Sequence, residues 1–138
     1  MTRINKNMTE IIYKKLSYKV NGAAFETQNT LGRYRGHGQY VDKLESALLK
    51  NGLKCSREVP LAPSFQAEKK NRNIPDLVVE GEEGRLVIEV KAKRILTKKD
   101  YFQLQRYLAS GNFRLGILLN FRQYCLKPKR IINSEYKR

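Results

Sequence analysis

"IPDLVVEGEEGRLVIEVKAK", residues 74–93, is the stretch on which the fold turns. Two apolar runs, Leu77-Val78-Val79 and Leu86-Val87-Ile88, flank the acidic turn Gly81-Glu82-Glu83-Gly84, the pattern of two short antiparallel strands joined by a hairpin. Side chains alternate along a strand, so Val87, Glu89 and Lys91 share one face while Leu86, Ile88 and Val90 share the other. Pairing Glu80 with Arg85 across the turn carries the register back to Asp76 opposite Glu89, and a shift by two makes them diagonal neighbours. Opposed residues in such a ladder have β-carbons roughly 4.5–5.5 Å apart, where like charges repel. A positive partner is needed. It is either a hard divalent cation such as Mg²⁺ or Mn²⁺, which takes carboxylate oxygens and keeps its waters, or Lys91 or Lys93 in a rim salt bridge.

Outward from the hairpin, apolar residues at Ile12, Leu16, Val20, Ala23, Ala24, Thr27 and Leu31 predict one or two amphipathic helices from Thr9 to Leu31, stopped by Gly32. A second helical stretch from Gln39 to Asn51 is expected to bury Val41, Leu44, Leu48 and Leu49 and to stop at Gly52. "CSREVPLAP" predicts a short strand near Val59, confined to an edge by Pro60 and Pro63. After the hairpin, Thr97 with Asp100 three residues on reads as a capping box opening a third helix that Gly111 ends. "RLGILLNF" has the length and continuous apolarity of a strand covered on both faces, and Ile131-Ile132 offers a further short one. The order helix, helix, strand, strand, strand, helix, strand predicts an α/β domain with a mixed sheet of about four strands. Residues 1–138 are expected to form one domain, with a flexible segment 1–8 and a basic tail 134–138.

Lys plus Arg number 28 against 13 Asp plus Glu, so the net charge of +15 points to a polyanionic partner, nucleic acid ahead of an anionic membrane surface. No apolar run approaches the roughly 18 residues of a membrane span and no secretory leader is legible, so no membrane partner is expected and the protein is read as cytoplasmic. Cys55 and Cys125, far apart and with His37 as the single histidine, suggest packed, reduced thiols and no zinc site.

Here the residues resemble a family. "PDLVVE" and "LVIEVKAK" are similar to the PD-(D/E)xK signature of restriction-endonuclease-like nucleases, with Pro75-Asp76 as one half and Glu89-Val90-Lys91 as the other. "NGAAFETQNTLG" (21–32), "REVPL" (57–61) and "LGILLNF" (115–121) resemble the small GxxExxY proteins of that superfamily, and Gln103 to Tyr107 matches the QxxxY element of RecB-like members. The resemblance implies a restriction-endonuclease-like core and a metal-dependent nuclease acting on nucleic acid, DNA taken ahead of RNA, with Mg²⁺ or Mn²⁺. It implies Asp76 and Glu89 as metal ligands, the Val90 carbonyl as a further one, Lys91 as the residue assisting the attacking water or the transition state, and Gln103 and Tyr107 as orienting or bracing groups.

The motif is broken at one point. Where the GxxExxY glutamate should stand, three residues before Tyr40, this chain has His37. RecB-like relatives often use a histidine from this region as a ligand, so His37 is one candidate, with Glu26 and Glu45 as substitutes. Lys93, Arg94, Lys98 and Lys99 beyond one strand, and Arg122, Lys127, Lys129 and Arg130 beyond another, are read as flanking a phosphodiester path, and Tyr101, Tyr107 and Tyr124 as bases' stacking partners or as packing. A catalytically inactive nucleic-acid-binding module, or an accessory subunit of a larger nucleoprotein complex, is the alternative function, and a homodimer or protein partner stays open.

Overall fold

The apolar spacing at the start of the chain closes into one helix, α1 (Lys14–Leu31), which buries Leu16, Ser17, Val20, Ala23, Ala24 and Thr27. The computed structural model describes residues 11–138. The expected flexible segment 1–8 and the helix start at Thr9 lie outside the described residues. Gly32, at φ +75°, ends α1 in a conformation that side chains with a Cβ adopt at a cost.

Helix α2 (His37–Lys50) follows, and its buried face is Tyr40, Val41, Leu44, Ala47 and Leu48. Leu49, expected in the core, is 53% exposed, because the stripe at spacings of three and four turns it to the far side of the helix. Among the described residues five strands then build one sheet, in the spatial order β1 (Lys54–Arg57), β2 (Leu77–Gly81), β3 (Gly84–Lys91), β4 (Leu115–Asn120), β5 (Lys129–Ile132). The expected strand near Val59 is corrected to Lys54–Arg57. Glu58 takes a positive φ of 53°, which breaks the extended path before Val59 is reached. The fifth strand is the further short one read at Ile131-Ile132; it spans Lys129–Ile132 and pairs antiparallel with β4.

Strands β1 to β3 form an antiparallel meander, and β2 pairs with β3 with Glu80 opposite Arg85, the register read from the turn. Strands β3 and β4 run parallel, so the chain between them must cross over, and α3 (Lys98–Gly111) is that crossover. The Asp100 carboxylate accepts the Thr97 N–H at 2.7 Å, as the capping box requires. At the other end the left-handed residue is Asn112, not Gly111.

The sheet is covered on both faces. Leu77, Val79, Ile88, Val90, Ile117 and Leu119 point to α1 and α2, whereas Val87 and Leu118 point to Leu104, Tyr107 and Leu108 of α3. Glu89 and Lys91, in phase with Val87, therefore face α3. Cys125, expected to be packed, is exposed, and Cys55 is half-buried with its thiol pushed up to about 11 by burial and by Glu45.

Helix α3 approaches the sheet closely because Gly116 has no side chain. A Cβ there would stand 2.9 Å from Leu104 Cδ1. Gly116→Ala should destabilise the protein by about 1–3 kcal/mol through overpacking. It would be read as a lower urea midpoint at unchanged m-value, and an unchanged midpoint would show that α3 can lift off the sheet at no cost.

Candidate active site

Strand β3 outruns β2. Glu89, Val90 and Lys91 pair with Leu118, Leu119 and Asn120 of β4, but the β2 ladder stops at Leu77 opposite Ile88. The backbone edge so exposed is satisfied by Asp76, one residue before β2. Asp76 Oδ2 accepts the Val90 N–H at 2.7 Å, and the Asp76 N–H donates to Glu89 Oε1 at 3.1 Å. The N–H and C=O of a strand residue point to the same edge, so the Val90 carbonyl also turns toward Asp76. The approach to Asp76 is held by buried Asn73, whose side chain donates to Glu68 and accepts Arg106 Nε of α3 at 2.8 Å.

Glu89 is 4% exposed. Burial first, then the charge of Asp76, pushes its carboxyl above the ordinary range, while Lys91 pulls it down. Lys91 Nζ lies 3.5 Å from Glu89 Oε2 and 3.8 Å from Asp100 Oδ1, and donates to Gln103 Oε1 at 2.7 Å. Gln103 and Tyr107 stand one turn apart on α3, facing β3. The Tyr107 hydroxyl is pushed up to about 12 by burial and by the nearby charge of Glu89.

His37 opens α2 with its ring 52% exposed, and its Nε2 lies 3.1 Å from Asp76 Oδ1. The two substitutes go elsewhere. Glu26 pairs with Lys50 at 2.7 Å, and Glu45 lies 3.6 Å from Arg57 of β1. Asp76 and Glu89 thus come together with His37, the Val90 carbonyl, Lys91, Gln103 and Tyr107.

Among the described residues no three His, Cys, Asp or Glu side chains form a metal-binding cluster, because His37 reaches only Asp76 while Glu89 turns to the Asp76 N–H and Lys91. Even so the donors suit a hard divalent ion. Mg²⁺ is usually held by one or two carboxylates and keeps several waters, and the raised Glu89 carboxyl beside the Asp76 charge marks a place where a cation relieves repulsion.

The basic residues separate into groups. Lys93 Nζ is bound to Asp100 at 3.0 Å, and Arg130 is turned inward to Ser17 and the Ile12 carbonyl of the α1 side. Both, expected to flank a phosphodiester path, are here engaged within the protein. Lys98 and Lys99 are exposed in the first turn of α3, and Lys129 is exposed on β5. Arg94, Arg122 and Lys127 line one groove.

Sequence reasoning missed three supports. Asp100, read only as a cap, is buried beside Lys91 and Lys93. Burial opposes its charge, but the Thr97 N–H and then the lysines outweigh it and hold the carboxyl below its ordinary value. Asn120, 2% exposed, bonds both the N–H and the C=O of Lys93. Gln28 bonds the carbonyls of Phe121 and Gln123. Asn120 did leave a signal, a polar residue at the end of an otherwise apolar run, the same kind of signal that exposed Asp76 and Glu89.

A family model described as the PD-(D/E)XK nuclease superfamily matches residues 14–132. No curated protein and no solved structure matches the chain.

The folded state holds the Glu89 proton to higher pH than the unfolded chain. In chelator, stability should therefore fall as pH rises from the ordinary value near 4.5 through the raised folded value. Glu89→Gln has no charge to bury, so its melting temperature in chelator should fall less over that interval than the parent's. It should also lose the stabilisation that excess Mg²⁺ gives the parent by binding the native state. Parallel melting profiles for the two proteins would mean that Glu89 stays charged and fully paired throughout.

Proposed function

The chain belongs to the PD-(D/E)XK nuclease superfamily, and on that premise we propose that it is a metal-dependent nuclease hydrolysing phosphodiester bonds, DNA ahead of RNA, at Asp76, Glu89 and Lys91. Membership implies a nucleic acid substrate, and the superfamily's nucleases generally depend on divalent metal. The observation that carries the reading is the meeting of both signature halves at the β3 overhang, with Lys91 held there by Gln103 at 2.7 Å.

Asp76, Glu89, the Val90 carbonyl and His37 would hold Mg²⁺ or Mn²⁺. Such an ion supplies, when bound, positive charge that polarises a phosphoryl oxygen and eases ionisation of the attacking water. The chain's own residues do the rest. Glu89 and Gln103 hold the Lys91 ammonium between them, so a fixed cation is ready for a phosphoryl oxygen whose negative charge grows in the transition state. Tyr107, too weak an acid to ionise near neutrality, stays a neutral hydroxyl that braces the site and is not a proton acceptor. Lys98 and Lys99 sit in the first turn of α3, where cations oppose the helix dipole. That placement costs helix stability and favours an anionic partner.

A binding module without turnover is the second reading. It is favoured by the carboxylates being engaged internally, with no three-ligand cluster among the described residues. Incubation of purified protein with labelled single- and double-stranded DNA and RNA, with Mg²⁺, with Mn²⁺ and with chelator, separates the two. The nuclease reading expects cleavage in metal only. No cleavage of any substrate with either metal returns the protein to the binding reading.

Lys91→Ala should lower metal-dependent cleavage by roughly 100- to 1,000-fold, the cost of removing one preorganised charge-stabilising group, with binding retained. Full activity in that variant removes the chemistry from this site. At His37, substitution separates ligand from bystander. His37→Ala should weaken Mn²⁺-supported activity, while His37→Glu should keep or improve activity with Mg²⁺, the harder ion. An unchanged metal response in both variants leaves His37 as a partner of Asp76 alone.

A further inference from the structure

Around Arg94 lies an open groove of about 770 Å³ between the connection 32–36 that joins α1 to α2 and the connection 121–128 that joins β4 to β5. Arg33, Tyr34, Arg94, Arg122, Tyr124 and Lys127 line it, and no acidic side chain does. Its cations and rings are layered. The Arg33 guanidinium lies 5.3 Å from the Tyr34 ring centre and 5.5 Å from that of Tyr124, and Arg122 lies 5.4 Å from Tyr34. Both tyrosines nevertheless remain largely open to solvent, at 75% and 82%.

The groove is built on a rigid base. Arg33 Nε donates to the Arg122 carbonyl at 3.0 Å and Arg122 Nε to the Arg33 carbonyl at 2.8 Å, which locks the two connections together. Beneath them Tyr40 stacks on Phe121 with ring centres 4.5 Å apart, and its hydroxyl donates to the Gly32 carbonyl at 2.6 Å. Gln28 holds the far connection through Phe121, Gln123 and Leu126. Asn120 ties the wall of the groove to the segment that leaves Lys91. Asn120 Oδ1 accepts the N–H groups of Lys93 and Arg122, so Arg94 enters the groove three residues after Lys91.

We infer that this groove binds single-stranded nucleic acid, with unpaired bases stacked on Tyr34 and Tyr124 and phosphates on Arg94, Lys127 and the outer edges of Arg33 and Arg122. Phosphates alone would be served by the cations. Exposed ring faces held in place by guanidinium groups serve a flat apolar ligand, and a base offers its face to a protein only when unpaired. The inference rests on nucleic acid being the substrate and specifies the single-stranded form in which this surface takes it.

The test is fluorescence anisotropy in chelator with a labelled thymidine strand, a uridine strand, an abasic strand of the same length and a blunt duplex. Removing both rings in Tyr34→Ala/Tyr124→Ala should weaken binding of a base-bearing strand, DNA or RNA, by about 30-fold or more, the product of roughly 5- to 150-fold for each stacked base, with the abasic strand and the duplex changed by less than about twofold. Tyr34→Phe/Tyr124→Phe, which keeps the rings, should bind like the parent. Unchanged affinity in the alanine variant overturns the inference, and so does an equal loss on the abasic strand or a loss in the phenylalanine variant. Because chelator silences cleavage, the result is independent of the nuclease reading. Loss of strand binding in a protein that never cleaves keeps the groove and removes the nuclease, whereas normal binding in a protein that Lys91→Ala inactivates does the reverse.

Discussion

The hydrogen bond from the Val90 N–H to Asp76 Oδ2, 2.7 Å long, is the contact on which the site depends. A strand that outruns its neighbour leaves backbone donors and acceptors that must find partners, since an unpaired buried amide costs about as much as a lost hydrogen bond. Here a carboxylate takes the place of the missing β2 residue. That substitution brings Asp76 against Glu89 and aims the Val90 carbonyl at the same point, so an edge defect of the sheet becomes a cluster of oxygen donors. A longer β2 would satisfy the backbone equally well and abolish the cluster.

The cluster has a cost that its surroundings limit. Two carboxylates share a largely buried place, and burial together with the Asp76 charge raises the Glu89 carboxyl. Lys91 offsets part of this, but it is shared with Gln103 and with Asp100, which in turn engages Lys93. The result is an alternating set of acids and amines between β3 and α3. In a chain of net charge +15, burying Asp100 there holds two lysines in place that would otherwise repel each other.

Polar residues outside the site act mainly on connections. Tyr40, the aromatic end of the expected GxxExxY motif, has its ring packed on Phe121 and its hydroxyl on the α1–α2 connection, which fixes that connection and the start of α2 where His37 stands. Asn73 and Arg106 do the same for the segment leading to Asp76, and Asn120 for the segment leaving Lys91. The connections around the candidate site are thus tied to α2, α3 and β4 by two buried amides and one buried phenol.

The hairpin, its register, the capping box of α3 and the apolar run of β4 were legible in the sequence because each follows from local rules: alternation, turn chemistry and the reach of one side chain over three residues. Asp76, Glu89 and Lys91 were legible for a related reason, since charges within apolar runs conflict with local expectation. What local rules could not supply was partnership at long range. That Glu58 ends β1 before Val59, that Leu49 faces water, that Arg130 is used up against Ser17, and that Asp100 reaches Lys91 all depend on which element lies opposite. The same is true of His37, whose place in the chain was noted but whose contact with Asp76 exists only because α2 begins where β2 begins. Sequence determined which residues were out of place in a core. The tertiary structure decided which of them meet, because a side chain's partner across a sheet or between layers is set by packing and not by neighbours in the chain.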